Sequence, residues 1–174
     1  MNTIIVVIFV CIFLIWFIST FNRFHEFNIK INEAEVNIDA TLRKRFDLLN
    51  KSIGIIKAKT KKENVLDNIT NLRSKKLSNF ELDREIYNAI NEITALKEEF
   101  KDLKKVEDFM KVELGINETE AEIVAGRKYY NAVITDYNKM VKSFPSNIIA
   151  LICRFKSKPY FDGKSLEHKT DFRI

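Results

Sequence analysis

Fifteen consecutive apolar residues, Ile4 to Ile18 (IIVVIFVCIFLIWFI), constrain this chain more than any other feature. Ser19, Thr20 and Phe21 prolong the charge-free stretch, and the first charged side chain is Arg23. As a helix at 1.5 Å per residue, residues 3–21 reach about 28 Å, close to the hydrocarbon thickness of a bilayer. Trp16 and Phe17 fall near one end of the run, where aromatic rings favour the headgroup boundary. A cleaved signal peptide is the rival reading. It wants a basic n-region and a small-x-small site, whereas Met1-Asn2-Thr3 and Ser19-Thr20-Phe21 supply neither. A buried core element is disfavoured because nothing else in the chain has the apolar surface to cover fifteen bulky residues. The run therefore reads as a single uncleaved membrane anchor. Lys and Arg appear only after it, at Arg23, Lys30 and Arg43-Lys44-Arg45, so the short N-terminus is expected outside and the remainder in the cytoplasm.

The remaining sequence is poor in everything that sheet folds and familiar chemistry need. Four Gly and two Pro in 174 residues cannot punctuate a barrel or sandwich, nor build a Gly-rich phosphate loop. Cys11 and Cys153 are too far apart for a CxxC zinc site, and a free-thiol reading fits a reducing compartment. Neither His25 nor His168 follows a Glu at the Glu-x-x-His spacing of a carboxylate di-metal bundle, so Glu113, Glu118, Glu120 and Glu122 read as a solvated helix face. No catalytic, cofactor or metal site is indicated, and the chain is not expected to be an enzyme.

Helical periodicity fills the gap. Phe24, Phe27, Ile31, Ala34, Ile38, Leu42, Phe46, Leu49, Ile53 and Ile56 recur in steps of three and four, predicting a long amphipathic helix that continues the anchor. Val65, Leu66, Ile69 and Leu72 carry the pattern on, leaving open one helix or two up to residue 77. After Leu77-Ser78-Asn79-Phe80 a second pattern runs through Leu82, Ile86, Ala89, Ile90, Ile93 and Leu96, with Ser78 or Asn79 as cap and Glu81, Asp83 and Glu85 at the positive helix end. Residues 100–104 read as a connection. A heptad seam follows: Phe109, Val112, Ile116, Thr119, Ile123, Gly126, Tyr130, Val133, Tyr137, Met140 and Phe144, about 54 Å long. Thr119 and Gly126 are small enough to admit a close neighbour, and Pro145 ends the run. A short helix is expected over residues 148–153, then a polar, irregular tail from Lys156.

Charge divides along the chain: net +6 over residues 22–80, −7 over 81–122 and +6 over 123–174. Antiparallel packing of an acidic middle between basic ends is thereby favoured, although exposed pairs each contribute little. The basic residues Arg43-Lys44-Arg45, Lys57, Lys59, Lys61 and Lys62 read first as a solvated face and second as a contact for anionic lipid. They lack the aromatics or reading motif of a nucleic-acid binder. Tyr-Asn occurs twice, at Tyr130-Asn131 and Tyr137-Asn138, seven residues apart, with Arg127 on the adjoining face. Asn is a poor helix former. Two on one face are accounted for by register-setting hydrogen bonds across a bundle, or by a polar groove for a peptide or partner helix.

These residues carry a resemblance to the LemA family of bacterial membrane-anchored helical proteins. It covers nearly the whole chain and is strongest over residues 120–161, at Glu120, Arg127, Tyr130-Asn131, Val133, Tyr137-Asn138, Phe144-Pro145, Ala150, Phe155 and Tyr160-Phe161. Weaker matches are Arg45, Asp47-Leu48, Arg73, Leu103-Lys104 and Phe109. Leu49-Asn50-Lys51 stands where the family usually has a Pro, and Phe100-Lys101 where it has Tyr-Pro. The resemblance implies a transmembrane helix followed by an antiparallel four-helix bundle, and no defined catalytic activity. The expected architecture is all-α: an anchor over 1–22, an up-and-down bundle of three to four long helices over 23–155, and a basic tail over 156–174. Its expected role is a membrane-anchored scaffold or protein-interaction module; the alternative is a membrane-surface sensor binding anionic lipid or a peptide through its basic or Tyr/Asn-rich face. Arg45, Asp47, Arg127, Tyr130, Asn131, Tyr137, Asn138, Phe144 and Pro145 are the candidate structural or interaction residues. The expected partners are the bilayer and a protein of unspecified identity, with self-association left open and nucleic acid excluded.

Overall fold

The computed structural model describes residues 2–60 and 77–161. Among these there are four α-helices and no strand: α1 (Asn2–Thr60), α2 (Asn79–Glu99), α3 (Glu107–Lys142) and α4 (Ser146–Ile152), with a 3-10 helix at Lys101–Lys105. The all-α reading of the sequence is met. α1 is one continuous helix of 59 residues, so the apolar run and the amphipathic stretch belong to a single element. The patterned residues Val65, Leu66, Ile69 and Leu72, the basic Lys61 and Lys62, Arg73 and most of the C-terminal tail lie outside the described residues.

The chain divides into two compact units, Met1–Ala34 with Tyr129–Tyr160, and Glu35–Lys128 with Phe161–Ile174; α1 and α3 contribute to both. In the second unit α3 runs antiparallel to α1, bringing Glu122 to Lys44 and Glu120 to Arg45. It also runs antiparallel to α2, bringing Arg127 to Asp83 and Glu113 to Lys97. α1 and α2 run the same way, with Asn79 Nδ2 of α2 donating to the Glu35 carbonyl of α1 at 3.2 Å. The seams of all three helices meet: Ile38, Leu42, Phe46, Leu49, Ile53 and Ile56 of α1, Ile86, Ala89, Ile93 and Leu96 of α2, and Phe109, Val112, Ile116 and Ile123 of α3 are buried. Steps of three and four put these residues on one stripe per helix. Withdrawing each of the larger side chains from water contributes about 1.5–3 kcal/mol against the entropy of ordering the chain. Contact between α1 and α3 is close enough that a Cβ on Gly126 would meet Ile38 Cγ1 at 3.2 Å, as the small residue there foretold. Gly115 has the same role against Leu48, with 3.1 Å to Cδ1, and was not singled out from the sequence.

α2 begins with a capping box. Ser78 Oγ accepts from the Glu81 amide, and Glu81 Oε2 accepts from the Ser78 amide at 2.9 Å and from the Ser78 hydroxyl at 2.8 Å. These bonds, led by the one from the Ser78 backbone, hold the Glu81 carboxyl below its ordinary value. Ser78→Ala removes the acceptor for an otherwise orphaned helix amide. It is expected to destabilise the fold by about 1 kcal/mol, read as a lower urea midpoint with unchanged slope.

In the first unit, the Phe24 ring stacks on Phe155 at 4.5 Å between centroids and meets Tyr137 edge-on at 6.0 Å. The α3 seam holds through Tyr130, Val133 and Tyr137, which are buried, and Ile134 and Asn138 widen it. It does not reach Phe144, which is 80% exposed. α3 ends at Lys142, so the chain has left helical phase before that ring can turn inward. After α4, Arg154 takes a left-handed backbone conformation (φ 60°). The Phe155 amide donates to the Ala150 carbonyl at 2.8 Å, closing a helix-terminating turn. That turn sends the chain back so that Phe155 reaches Phe24.

Candidate functional site

Two polar constellations stand out against the apolar seams. In the second unit, each of the three helices delivers a charge to the interior. Arg45 on α1 lies three residues after Leu42 and one before Phe46, on the flank of the seam, and is 2% exposed. It pairs with Glu120 at 2.7 Å. Asp83 on α2, three residues before Ile86, is 1% exposed and paired with Arg127 of α3. The Arg127 guanidinium also lies 5.8 Å from the Phe161 ring, which packs on Phe80 at 4.4 Å. Burial pushes the Asp83 carboxyl above its ordinary value, opposed first by Arg127 and then by Arg45, while Glu120 adds to the push. Asp83 Oδ2, Arg45 Nε and Arg127 Nε have no hydrogen-bond partner among the described residues. The arrangement is two cations and two carboxylates drawn from three helices. Such a network specifies which faces meet, because any other register would leave a charge in the interior without its opposite.

In the first unit, Asn138 grips the segment after α4. Its Nδ2 donates to the Lys158 carbonyl at 2.8 Å, and its Oδ1 accepts from the Lys158 amide at 2.8 Å. One side-chain amide thus pairs with both backbone groups of one residue, as a neighbouring strand would. The Lys158 ammonium lies 5.8 Å from the Tyr137 ring, and Thr135 Oγ1 donates to Tyr160 Oη at 3.4 Å. Burial pushes the Tyr137 hydroxyl above its ordinary value. The irregular segment foreseen beyond Lys156 is irregular as far as Phe161, yet it is bound to α3 by these contacts.

The sequence candidates therefore fall into groups. Arg45 and Arg127 come together with Asp83 and Glu120. Tyr137 and Asn138 come together with the returning chain; Tyr130 is buried on the same stripe and Asn131 is half-buried. Asp47 is exposed on α1, and Phe144 and Pro145 are exposed between α3 and α4, so none of the three joins either constellation. Asp83 was the residue that sequence reasoning misassigned. Its place at the positive end of α2 gave the acid a sufficient explanation, yet its spacing from Ile86 and Ala89 put it on the buried stripe. The basic run Arg43-Lys44-Arg45 splits three ways. Arg43 pairs with Asp39 at 2.7 Å, Lys44 with Glu122 at 3.3 Å, and Arg45 is internal.

Among the described residues no group of three or more His, Cys, Asp or Glu is placed to hold a metal ion. A cleft of about 60 Å³ in the second unit has room for a water or two; Ile90, Ile93, Phe109, Val112 and Ile116 line it together with the polar Ser52, Thr94, Asn117 and the Lys97–Glu113 pair. Along the apolar run of α1 the bulky side chains are exposed: Ile4 is 67% exposed, Phe9 69% and Ile15 69%.

These features define a helical-bundle protein that has, among the described residues, one helix long and apolar enough to cross a membrane. The model of the LemA family matches residues 34–174, most of the chain, and the chain belongs to the LemA family. It is also similar to the magnetosome proteins MamQ 1 and MamQ 2 of Paramagnetospirillum magneticum (strain AMB-1), at 30% identity over 77 residues. That stretch is 44% of this chain and 28% of each relative, so the chain spans less than a third of the relatives it matches.

Proposed function

We propose that this LemA-family protein is a membrane-anchored helical scaffold, or protein-interaction module, at the inner face of a bacterial membrane, without catalytic activity. The carrying observation is the contrast within α1: its first turns are apolar all round and exposed, while from Phe24 onward the same helix buries one stripe only. A helix apolar on every side needs an apolar solvent. The excess of Lys and Arg after the run supports an outside N-terminus. Two polar constellations that hold the fold together, one between helices and one on the segment after α4, support a binding role over chemistry. The basic-face alternative is less well supported, since Arg43 and Lys44 have acidic partners and the Tyr137-Asn138 face is engaged by the chain's own Lys158.

Photo-crosslinking of the full chain in native membranes, with affinity capture and mass spectrometry, tests the reading. Discrete protein adducts are expected, either a partner or a second copy. Recovery of the protein in the soluble fraction after membrane sedimentation, or adducts with lipid alone, would overturn it.

A further inference from the structure

The first unit carries a second exposed apolar surface, separate from the run in α1. Phe144 is 80% exposed, Leu151 81%, Ile152 64% and Ile148 44%, whereas Ile149 and Ala150 between them are buried. α4 is thus held by one face and presents an apolar face outward. Its level follows from the antiparallel pairing of α1 and α3. Tyr137 lies beside Phe24 and Phe27. α3 continues five residues past Tyr137 to Lys142, about 7.5 Å towards the apolar run, with Phe144 in the turn that follows, and the ring of Phe155, just beyond α4, lies 6.0 Å from that of Phe21. Phe144 and α4 therefore lie at the height where the charge-free run of α1 ends.

Charge agrees with that position. Between Tyr137 and Phe161 the chain has five basic residues, Lys139, Lys142, Arg154, Lys156 and Lys158, and no acidic one. All but Lys158 are exposed. Arg23 and Lys139 line one shallow groove of about 330 Å³, with Asp136 as its acid. Exposed aromatic and aliphatic side chains flanked in sequence by exposed cations match the boundary between headgroups and acyl chains of an anionic leaflet. Four side chains offer less than the roughly 800 Å² per partner of a stable protein interface.

Resting on the anchor reading of α1, we propose that Phe144 and the outward face of α4 dock into the headgroup–acyl boundary of the bilayer that α1 crosses. The first unit then meets the membrane at two places, and its basic residues face anionic lipid.

The test uses the full chain in vesicles of phosphatidylcholine and phosphatidylglycerol carrying doxyl-labelled lipids. An environment-sensitive fluorophore is placed on native Cys11 in a Cys153→Ala background. In a Cys11→Ala/Cys153→Ala background it is placed instead at Leu151→Cys, at Ile152→Cys, or at Asn32→Cys, an exposed position two turns beyond Phe24. Deep doxyl groups are expected to quench the Cys11 probe. Shallow doxyl groups are expected to quench the probes at 151 and 152 about twofold more than deep ones do, and aqueous iodide alone should quench the probe at 32. Iodide quenching at 151 and 152 equal to that at 32, with Cys11 still quenched by lipid, would overturn the docking and leave the anchor. Protection from both quenchers at 151 and 152 would mean a protein contact and equally overturn it. Loss of lipid quenching at Cys11 would remove the anchor and the docking with it.

Discussion

Arg127→Met is expected to destabilise the protein by about 3–5 kcal/mol at neutral pH, because it leaves Asp83 in the interior without its opposite charge. Asp83 is 1% exposed, and the Arg127 side chain 11%. The double change Asp83→Leu/Arg127→Met is expected to return most of the lost stability, since two apolar side chains can share the space without a desolvated charge. Urea unfolding of the two variants measures this; an equal loss in both would assign the effect to the contact of the Arg127 guanidinium with the Phe161 ring. The pH dependence has a definite sign. Burial already holds the Asp83 carboxyl above its ordinary 3.8, and Arg127 is the larger of the two cations opposing it. Without Arg127 the folded-state value rises further. A group raised on folding contributes stability that is present below its unfolded value and lost as pH climbs through its folded value. The Arg127→Met deficit is therefore expected to shrink on acidification from neutral pH towards the ordinary carboxylate range, as the carboxyl takes up a proton. A deficit that grows over this interval would contradict the assignment.

Asn138→Ala is expected to release the chain beyond Phe155 from α3. Two hydrogen bonds of 2.8 Å are lost together, and the Lys158 amide and carbonyl must find water or remain unpaired. At about 1–3 kcal/mol for each group left unsatisfied, local opening of this segment becomes much easier than in the parent. Hydrogen exchange of the amides around Lys158 should accelerate well beyond that of the α2 amides, whose surroundings the change does not touch. Uniform acceleration over both units would mean that Asn138 supports the whole fold and not the returning segment.

What could be read from the sequence was what repeats along it. Steps of three and four located the stripes of α1, α2 and α3, and nine of the ten α1 positions named from Phe24 to Ile56 are buried, Phe27 being half-buried. Tertiary decisions left weaker traces. Arg45 stood in a basic triplet that a solvated face explains, although its spacing from Leu42 and Leu49 placed it against the core. Asp83 had a local explanation in the helix dipole that hid its partner forty-four residues away. The doubled Tyr-Asn was recognisable as unusual, but the partner of Asn138 lies twenty residues downstream in a segment with no periodicity at all. Phe144 fell in phase with the seam only as long as the helix continued, and the chain turned at Lys142.

The unbroken course of α1 through Phe21 and Arg23 has a mechanical consequence when the apolar run lies in a bilayer. A flexible tether would absorb tilting or spinning of the lipid-embedded part. A continuous helix acts as a shaft: each residue adds 1.5 Å and about 100° of turn, and the direction in which Phe24 and Ile31 point is locked in phase with the lipid-facing turns. Insertion of a single residue near Thr20 would leave the apolar length adequate and the bundle sequence intact. It would nevertheless rotate every lipid-facing side chain by over a quarter-turn relative to Phe24, so angular phase, as well as hydrophobic length, is a quantity that this helix encodes.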